Sequence, residues 1–485
     1  RKVIGFSSNE YNKFSTASLI TRSTNDVQQV QMTMAMMFRI VLYAPIIGIG
    51  GVLRVLETDS SMTWILGVGV VLILVIIGLL FSIAMPRFTK LQTLIDRLNL
   101  VTREILTGIP VIRAFSREKH EEDRFEDANK VLTKTNLFVN RCMTFMMPSM
   151  MLIMNGISVL IVYNGSYAVD AGNMQVGDMM AFIQYAMQII MAFLMITAMS
   201  IMLPRANVAA MRIVEILETE NSLKEPEAPV HPSQEIKGTV EFDHVSFAYP
   251  DAGENVLTDI SFKAEKGQTL AVIGSTGSGK SSLINLIPRF YDVTQGCVKV
   301  DGVDVRSMSQ KELRDRLGYV PQKGVLFSGT IDSNIRYGKT DISEEQVKKA
   351  AMVAQAQDFI EEKPHGYESP VAQGGTNVSG GQKQRLSIAR AVAKDPEIFI
   401  FDDSFSALDF KTDKALRKAL KEHTKNATTI IVAQRISTIL NADQILVLDD
   451  GKMAGLGTHR ELMENCEVYR QIAMSQLSEE ELANE

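Results

Sequence analysis

The sequence predicts a multi-domain protein in which an all-α transmembrane domain is followed by a soluble α/β domain. Three observations lead to this fold class. Long runs without charged residues lie in the first half, short apolar strands alternate with helical stretches in the second half, and a proline-rich segment separates the two. The length of 485 residues also exceeds what one hydrophobic core usually holds. We therefore expect two domains in different surroundings.

The first domain, predicted to cover residues 1–218, contains segments apolar enough to cross a membrane. The stretches 60–86, 142–169 and 179–204 contain no Asp, Glu, Lys or Arg. Each exceeds the ~20 apolar residues that span ~30 Å of hydrocarbon. The alternative is four buried helices of a large soluble protein, which three such runs in one half disfavour. Together with a weaker first segment, the predicted spans are approximately 36–56, 62–85, 142–167 and 179–203.

The distribution of Lys and Arg between the loops predicts the orientation of these spans. The loops 57–61 and 170–178 contain neither residue, whereas the stretch 87–141 is rich in both. We therefore expect 87–141 and both ends of the domain in the cytoplasm. Apolar residues recur at helical spacing within 87–141, so the membrane helices are expected to continue well beyond the bilayer.

A linker is predicted at 219–235, where Pro226, Pro229 and Pro232 interrupt a stretch without apolar periodicity. The soluble domain is expected to cover 236–477, and an acidic tail is expected at 478–485. Alternation of apolar strands with helices favours a mainly parallel sheet covered by helices. The strand candidates are 239–247, 269–274, 317–321, 397–403, 428–434 and 444–450.

The strongest motif, GSTGSGKSS, matches G-x-x-x-x-G-K-[ST] and lies between a strand and a helix. Its glycines allow backbone N–H groups to point at phosphate oxygens. Lys280 is expected to reach the β- and γ-phosphates of ATP, and Ser281 to hold Mg²⁺. The alternative is a plain glycine-rich turn, which the complete spacing disfavours. The predicted ATP-binding residues of this loop are Gly274, Ser275, Thr276, Gly277, Ser278, Gly279, Lys280, Ser281 and Ser282.

The stretch IFIFDD, residues 398–403, is a buried strand candidate that ends in two carboxylates. In enzymes with such a loop, a hydrophobic strand ending in Asp supplies a second hold on Mg²⁺. Asp402 fits that role beside Ser281. A helix-capping Asp is the alternative, which explains one carboxylate but not its combination with the loop.

The stretch NVSGGQKQRLSIARA, residues 377–391, resembles the signature motif of ABC ATPases. Other motifs follow the order of that family. The resemblance implies that Tyr249 stacks on adenine, that Gln322 in YVPQ has a catalytic and Mg²⁺-binding role, and that Asp409 in SALD communicates across a dimer. It also implies that the signature residues contact the ATP of a partner subunit; these are Ser379, Gly380, Gly381 and Gln382.

The first domain resembles the membrane part of ABC exporters whose helices reach deep into the cytoplasm. Residues 14–27 and 104–125 look like the two intracellular loops of that family, whose short transverse helices dock on the ATPase domains. Half-transporters of this kind have six membrane helices. The resemblance therefore implies that four of six helices are present, followed by an ABC nucleotide-binding domain, and that the first two helices are missing from the chain as given.

Two residues depart clearly from the family pattern. Members that hydrolyse ATP efficiently carry Glu after the strand-terminal Asp, where this chain has Asp403. Its carboxylate is one methylene shorter, and ~1 Å of misplacement can cost ~10²-fold in rate. The family usually has His at the position of Gln434, whose amide cannot carry a positive charge. Glu is also frequent at the position of Gln373. Asp403, Gln434 and Gln322 are thus expected to form a catalytic set that turns ATP over slowly.

This chain combines altered hydrolytic residues with an intact signature. In this respect it resembles one half of the bacterial heterodimeric multidrug exporters. The resemblance implies an unlike half-transporter as partner, with Glu and His at the positions of Asp403 and Gln434. The site of this chain would bind ATP, and its signature would complete the hydrolytic site of the partner. A multi-pass location in a bacterial plasma membrane is implied, with the nucleotide-binding domain in the cytoplasm.

Composition limits the remaining functions. A net charge of −6 argues against a nucleic-acid partner, and the three cysteines lack the spacing of a zinc site or a disulfide framework. Methionines, most of which are expected to fill gaps between helices, are dense in the last two spans, where Asn155, Gln184 and Gln188 add polar groups. We expect the lipid bilayer and a hydrophobic small-molecule substrate as partners. A lipid or peptide exporter with the same ATP-driven mechanism, and a nucleotide sensor that transports nothing, are the alternatives.

Overall fold

The computed structural model describes residues 1–58, 62–233, 236–250 and 252–476. They form two compact units: one is Thr16–Glu218, and the other joins Arg1–Ser15 to the chain from Thr219 onward. The start of the chain therefore groups with the C-terminal unit, although the sequence predicts one domain over 1–218. The predicted tail at 478–485 and residues 234–235 of the predicted linker lie outside the described residues.

The N-terminal unit is built from long helices that pack in pairs. Among the described residues, four helical stretches are long and apolar enough to cross a membrane. The third helix packs along the sixth, and the fourth along the fifth. The helices up to residue 218 are α1 (Ser8–Lys13), which belongs to the C-terminal unit, α2 (Thr16–Ser23), α3 (Asn25–Thr58), α4 (Thr63–Ala114), α5 (Glu118–Asp170) and α6 (Val176–Glu218).

Glycines allow the paired helices to approach closely. A Cβ on Gly51 of α3 would lie 2.9 Å from the side chain of Ile189 on α6, and a Cβ on Gly69 of α4 would collide with Ile157 on α5. Other apolar side chains point away from the helix pairs, and Leu152 is 76% exposed. An apolar outer surface is expected where the surroundings are lipid rather than water.

The stretch 104–125 differs from the expectation of a short transverse helix. All of its residues are described, and α4 ends at Ala114 while α5 begins at Glu118, so a turn alone joins them. Ser116 has a φ of 52°, in the left-handed region, which allows the chain to reverse its direction there. The other predicted loop, 14–27, contains α2 and the start of α3.

The C-terminal unit is an α/β domain. Its strands are β1 (Val240–Phe247), β2 (Leu257–Ala264), β3 (Thr269–Gly274), β4 (Gln295–Val300), β5 (Val303–Asp304), β6 (Leu317–Val320), β7 (Gly329–Thr330), β8 (Pro370–Val371), β9 (Ile398–Asp402), β10 (Thr428–Val432), β11 (Gln444–Asp449) and β12 (Lys452–Gly457). Its remaining helices are α7 (Lys280–Leu286), α8 (Gln310–Asp315), α9 (Ile331–Ile335), α10 (Glu344–Val353), α11 (Gln357–Glu361), α12 (Gly380–Lys394), α13 (Phe410–His423), α14 (Ile436–Ile439), α15 (His459–Asn465) and α16 (Glu467–Met474).

Two main sheets organise this unit. The larger has six strands in the order β12-β11-β3-β10-β9-β6, all parallel except β12. The smaller is antiparallel, with four strands in the order β2-β1-β4-β5, while β7 pairs with β8. Because β3, β10, β9 and β6 are adjacent and parallel, their carboxyl ends meet at one edge of the larger sheet.

Strand β9 lies between two hydrophobic cores, one on each of its faces. All five of its residues are buried, as expected for a parallel strand covered on both faces. Phe399 and Phe401 belong to the core shared with α10, α12 and α13, whereas Ile398 and Ile400 belong to the core shared with α7 and the antiparallel sheet. This alternation fixes the register of β9, and therefore the position at which the strand ends.

Candidate functional site

The glycine-rich loop connects β3 to α7 at the carboxyl edge of the larger sheet. Gly277 and Gly279 have φ values of 88° and 94°, which residues with a Cβ rarely adopt. Gly274 leaves no space for a side chain, because a Cβ there would collide with the carbonyl oxygen of Leu448. These positions require glycine for the tight wrapping that a phosphate-binding loop needs.

The Lys280 ammonium lies inside this loop. Its Nζ donates hydrogen bonds to the carbonyl oxygens of Gly274 at 2.9 Å and Ser275 at 2.6 Å. Burial lowers the pKa of Lys280 from its ordinary value, although the charges of Asp403 and Asp402 oppose this shift. A half-buried cation that is held by carbonyl oxygens favours an anion beside it, because an anionic ligand would offset its desolvation.

Asp402, the last residue of β9, faces the loop. The Ser281 hydroxyl donates to its Oδ1 at 3.1 Å. Burial raises the pKa of Asp402 above its ordinary value, and the neighbouring charge of Asp403 adds to this, while Ser281 and Lys280 oppose it. The structure therefore brings together a hydroxyl and a carboxylate, the oxygen ligands that Mg²⁺ prefers.

Asp403 is held by two amides at the same edge of the sheet. Its Oδ2 accepts from Gln434 Nε2 at 2.8 Å and from Gln322 Nε2 at 3.3 Å. Its backbone N–H donates to the carbonyl oxygen of Val432 at 3.0 Å, and its φ of 45° turns the chain sharply after β9. Asp403 is buried, with 8% of the residue exposed, so these partners hold its carboxylate in place.

Strand order explains this convergence. Gln322 follows β6 and Gln434 follows β10, and these two strands flank β9 on either side. The carboxyl ends of parallel strands are the usual place for ligand sites in α/β sheets. The structure thus places Ser281, Asp402, Asp403 and both predicted glutamines in one cluster.

Tyr249 lies beside the helix that follows the glycine-rich loop. Its hydroxyl lies 2.9 Å from the Ser282 hydroxyl, and its ring packs edge-on against Tyr291 with centroids 5.1 Å apart. A cavity of about 640 Å³ opens beside it, lined also by Pro250 and by polar residues of α1. The ring therefore lies between the helix that follows the glycine-rich loop and a cavity that α1 lines.

Helix α1 is fixed to the C-terminal unit by a buried carboxylate. Glu10 accepts hydrogen bonds from the Ser7 hydroxyl and from the backbone N–H of Ser222, the latter at 3.1 Å. Although burial raises it, these hydrogen bonds lower the pKa of Glu10 below its ordinary value. Asn12 donates to the Tyr291 hydroxyl at 3.3 Å. This contact connects α1 to the aromatic pair beside the glycine-rich loop.

The signature residues begin α12. The Ser379 hydroxyl accepts from the backbone N–H of Gln382 at 3.3 Å, and the Gln382 side chain accepts from the Ser379 N–H at 3.1 Å, which forms a capping box. Apart from its chain neighbours and the backbone of α12, no atom of the described part of the chain lies within 4 Å of a Cβ built on Gly380. A Cβ on Gly381 would lie 3.4 Å from the carbonyl oxygen of Ala407. The start of α12 is therefore open at Gly380.

Asp409 starts α13 and is exposed. Its carboxylate accepts from the backbone N–H of Thr412 at 3.0 Å, and this hydrogen bond lowers the pKa of Asp409. No hydrogen bond of the described residues connects Asp409 or the signature to the glycine-rich loop.

Sequence patterns do not reveal Tyr291 or Asn12, because neither belongs to a motif and only the fold brings them to Tyr249.

Comparison with known proteins identifies the family. The model of the ABC transporter family matches residues 257–406, and that of the ABC transporter transmembrane region matches residues 1–193. An uncharacterised ABC transporter ATP-binding protein of Mycobacterium tuberculosis is 43% identical over 477 residues, which covers 98% of this chain and 82% of that protein. The chain belongs to the ABC transporter family.

Two further similarities concern exporters. A probable multidrug resistance ABC transporter ATP-binding/permease protein of Bacillus subtilis, YheI, is 33% identical over 476 residues, covering 95% of this chain and 79% of that protein. The structure of a bacterial Atm1-family ABC exporter with ATP bound is similar with a TM-score of 0.81 at 26% identity, covering 99% of this chain and 83% of that one. This ABC transporter therefore has the exporter fold.

The family and the fold establish the general activity. As an ABC exporter subunit, the chain binds ATP and couples its hydrolysis to transport. It is a membrane protein, because a transmembrane region precedes the ATPase domain. One membrane region and one ATPase domain make a half-transporter, which works as a dimer with a second half.

Proposed function

We propose that this chain is the ATP-binding half of a heterodimeric bacterial exporter that moves hydrophobic or amphipathic compounds out across the plasma membrane. The observation that carries this proposal is the arrangement around Asp403. A residue at the position of the catalytic base must accept a proton from water, and geometry decides whether it reaches that water. Asp403 is short, and its Oδ2 is already bonded to Gln434 and Gln322.

Gln434 adds to this argument. A His at this position becomes cationic at modest cost and stabilises developing negative charge, whereas an amide stays neutral. In this chain the amide donates instead to Asp403, so the two altered residues satisfy each other. The amide of Gln434 therefore holds the carboxylate of Asp403 in place beside the bound nucleotide. We expect ATP hydrolysis at this site to be slow.

The remaining site residues have binding roles in this proposal. Tyr249 stacks on adenine, and Lys280 contacts the phosphates. Mg²⁺ would be held by Ser281, Asp402 and Gln322, and it would neutralise part of the phosphate charge. No group of three or more His, Cys, Asp or Glu side chains among the described residues is placed to hold a metal ion. This fits Mg²⁺, which takes few protein ligands when substrate phosphates and water supply the others.

The signature supports the other half of the proposal. Ser379, Gly380 and Gly381 keep the family pattern, and the start of α12 is open where a phosphate of the partner's ATP would lie. The partner is expected to carry Glu and His where this chain has Asp403 and Gln434. The name of the relative YheI supports a multidrug substrate range, as does the density of methionines in the last two spans.

The test compares the two bases in the purified pair. We expect Gln in place of the partner's Glu to lower the ATPase rate by about 10²-fold or more, and Asp403→Asn to lower it by less than about threefold. ATP-driven uptake of a fluorescent drug into sealed inverted vesicles is measured in parallel. Fast hydrolysis by a dimer of this chain alone would contradict the proposal, as would full activity after the partner's Glu is replaced.

A further inference from the structure

The loop that carries Gln434 is held by a side chain from the C-terminal helix region. This loop lies between the end of β10 at Val432 and the start of α14 at Ile436. The Gln476 amide spans it: Nε2 donates to the carbonyl oxygen of Gln434 at 2.9 Å, and Oε1 accepts from the backbone N–H of Ile436 at 2.9 Å. One side chain therefore binds the backbone on both sides of Arg435.

Both backbone groups lie where the hydrogen bonding of a regular element ends. The first N–H groups of a helix have no acceptor within that helix. In the part of the chain that the structure describes, the side chain of Arg435, the N-cap residue of α14, forms no capping hydrogen bond. Gln476 supplies an acceptor from 40 residues away along the chain. The carbonyl oxygen of Gln434 lies beyond Val432, the last residue that β10 pairs with its neighbours.

Core packing brings Gln476 to this loop. Tyr469 and Ala473 of α16 are fully buried in a core that they share with Ile436 and Ile439 of α14. The backbone N–H of Gln476 donates to the carbonyl oxygen of Ala473 at 3.0 Å, so the chain continues the last turn of α16. The buried face of α16 therefore fixes the point from which the Gln476 side chain extends.

The loop is close enough to Asp403 to pass on a shift of its backbone. The side chain of Gln434 donates to Asp403 Oδ2 at 2.8 Å, and a cavity of only about 10 Å³ lies between Asp403 and the loop. A space of this size holds at most about one water molecule. A backbone shift of ~1 Å at Gln434 can therefore stretch this hydrogen bond beyond its normal range.

We propose that Gln476 is a positioning residue of the nucleotide site, which holds the backbone of Gln434 so that the Gln434 amide stays on Asp403. The inference rests on the proposed function, in which Asp403 lies at the position of the catalytic base and therefore beside the terminal phosphate of ATP. Without this amide donor the charge of Asp403 is less compensated next to that phosphate, so ATP binds more weakly. ADP lacks the terminal phosphate, so its binding does not depend on this contact.

Photolabelling of this chain tests the positioning role. The assembled pair is irradiated on ice with azido-ATP or azido-ADP in the presence of Mg²⁺, and the label in this chain is quantified separately from that in the partner. We expect Gln476→Leu to raise the half-saturation concentration of azido-ATP about fivefold, and that of azido-ADP by less than about twofold, because one hydrogen bond at Asp403 is lost. Damage to the fold would weaken the binding of both nucleotides alike.

Gln476→Glu separates positioning from helix capping. A carboxylate still accepts from the Ile436 N–H and suits a helix start, but it repels the carbonyl oxygen of Gln434 instead of donating to it. We expect the same loss of azido-ATP affinity as in Gln476→Leu, with a melting temperature within about 1 °C of the unmodified protein.

Gln471→Leu and Gln471→Glu are the matched controls for side-chain loss and for added charge. The Gln471 side chain donates to Glu467 on its own helix, α16, at 3.3 Å. Both variants should therefore label with azido-ATP as the unmodified protein does.

A double-mutant cycle shows whether Gln476 acts through Gln434. In the Gln434→Leu background the amide donor is already absent, so Gln476→Leu should change the half-saturation concentration of azido-ATP by less than about twofold. Full azido-ATP affinity in Gln476→Leu, restored affinity in Gln476→Glu, an equal loss for both nucleotides, or a loss that persists in the Gln434→Leu background would overturn the inference. Fast hydrolysis by a dimer of this chain alone would instead contradict the proposed function, while binding measured on ice would still report the role of Gln476.

Discussion

In the proposed function, the end of β9 and the start of α12 are the two places where this chain meets ATP, and they differ in how far they keep the family pattern. At β9, Asp403 and Gln434 replace the usual Glu and His, and they bond to each other. At α12, Ser379 caps the helix and the backbone at Gly380 is open. In the proposed function, the first place acts within one subunit, whereas the second acts on the nucleotide of the partner.

In the proposed heterodimer, this difference divides ATP binding and ATP hydrolysis between the two sites. Loss of hydrolytic residues in one subunit affects only the site that contains them, as long as its signature still completes the other site.

The largest effect is expected from Gly380→Glu. Apart from its chain neighbours and the backbone of α12, no atom of the described residues lies within 4 Å of a Cβ at this position, so the fold accommodates the side chain. In the proposed function, a carboxylate there would face the phosphates of the partner's nucleotide. Like charges placed together across an interface cost several kcal/mol. We expect the ATPase rate of the assembled pair to fall by about 10²-fold or more, measured by phosphate release.

Gly380→Gln is the matched control, since it adds the same bulk without the charge. It should retain at least about a tenth of the rate, because steric change alone leaves the electrostatics of the site intact. Equal losses in the two variants would mean that space rather than charge matters at the start of α12. Unchanged activity in both would remove the signature of this chain from the hydrolytic site.

A smaller gain is expected when the end of β9 is returned to the family pattern. Asp403→Glu combined with Gln434→His lengthens the carboxylate by one methylene and allows a positive charge beside the phosphates. In a pair whose partner base has been replaced by Gln, we expect the ATPase rate to rise about tenfold. Single-turnover measurements separate this gain from nucleotide release.

Gln373→Glu is the control for this gain, because it restores the softer departure without touching the Asp403 cluster. It should change the rate by less than about twofold, as expected for a residue without a role in proton transfer. If the double variant gains nothing, slow hydrolysis at this site has another cause than the two replaced side chains.

The main features of the fold follow from local patterns that the sequence displays. Apolar runs predict the membrane helices, and the buried strand IFIFD predicts β9 as a central strand. Six strands lie outside the predicted set: β5, β7 and β8 have only two residues each, and charged and exposed residues interrupt the alternation of β2, β4 and β12. The reversal at 115–117 lies inside the stretch 104–125 that resembles an intracellular loop, but a turn with the left-handed Ser116 takes the place of the expected transverse helix, because helical periodicity continues on both sides of it.

The site shows a different limit. Motif spacing predicts the residues that face nucleotide, but not how they contact one another. Gln322 and Gln434 are far apart along the chain, and they meet at Asp403 only because β6 and β10 flank β9. Sheet order is a property of packing between distant segments, so no local pattern reveals that both amides bind the same carboxylate oxygen.

The smallest expected effect concerns stability, and it separates the two aspartates at the end of β9. Burial and the charge of Asp403 raise the pKa of Asp402 above its ordinary value, so its ionised form is unfavourable in the folded protein without nucleotide. Asp402→Asn removes that charge and should raise the melting temperature of the nucleotide-free protein at pH 7 by about 2 °C. In the same variant, adding Mg²⁺ together with ATP should raise the melting temperature of the protein much less than it does in the unmodified protein.

The pH dependence gives the sign of this effect. A carboxyl whose folded pKa is raised destabilises the fold once it ionises, and this cost disappears as the pH falls through the raised pKa. The advantage of Asn over Asp402 should therefore shrink as the pH is lowered from 7 toward 4. Asp413→Asn is the matched control: this buried aspartate is paired with Arg417 at 2.8 Å, so losing its charge should lower the melting temperature. If Asp402→Asn lowers the melting temperature as Asp413→Asn does, the charge of Asp402 stabilises the folded protein. The end of β9 would then be built for folding rather than for holding magnesium and nucleotide.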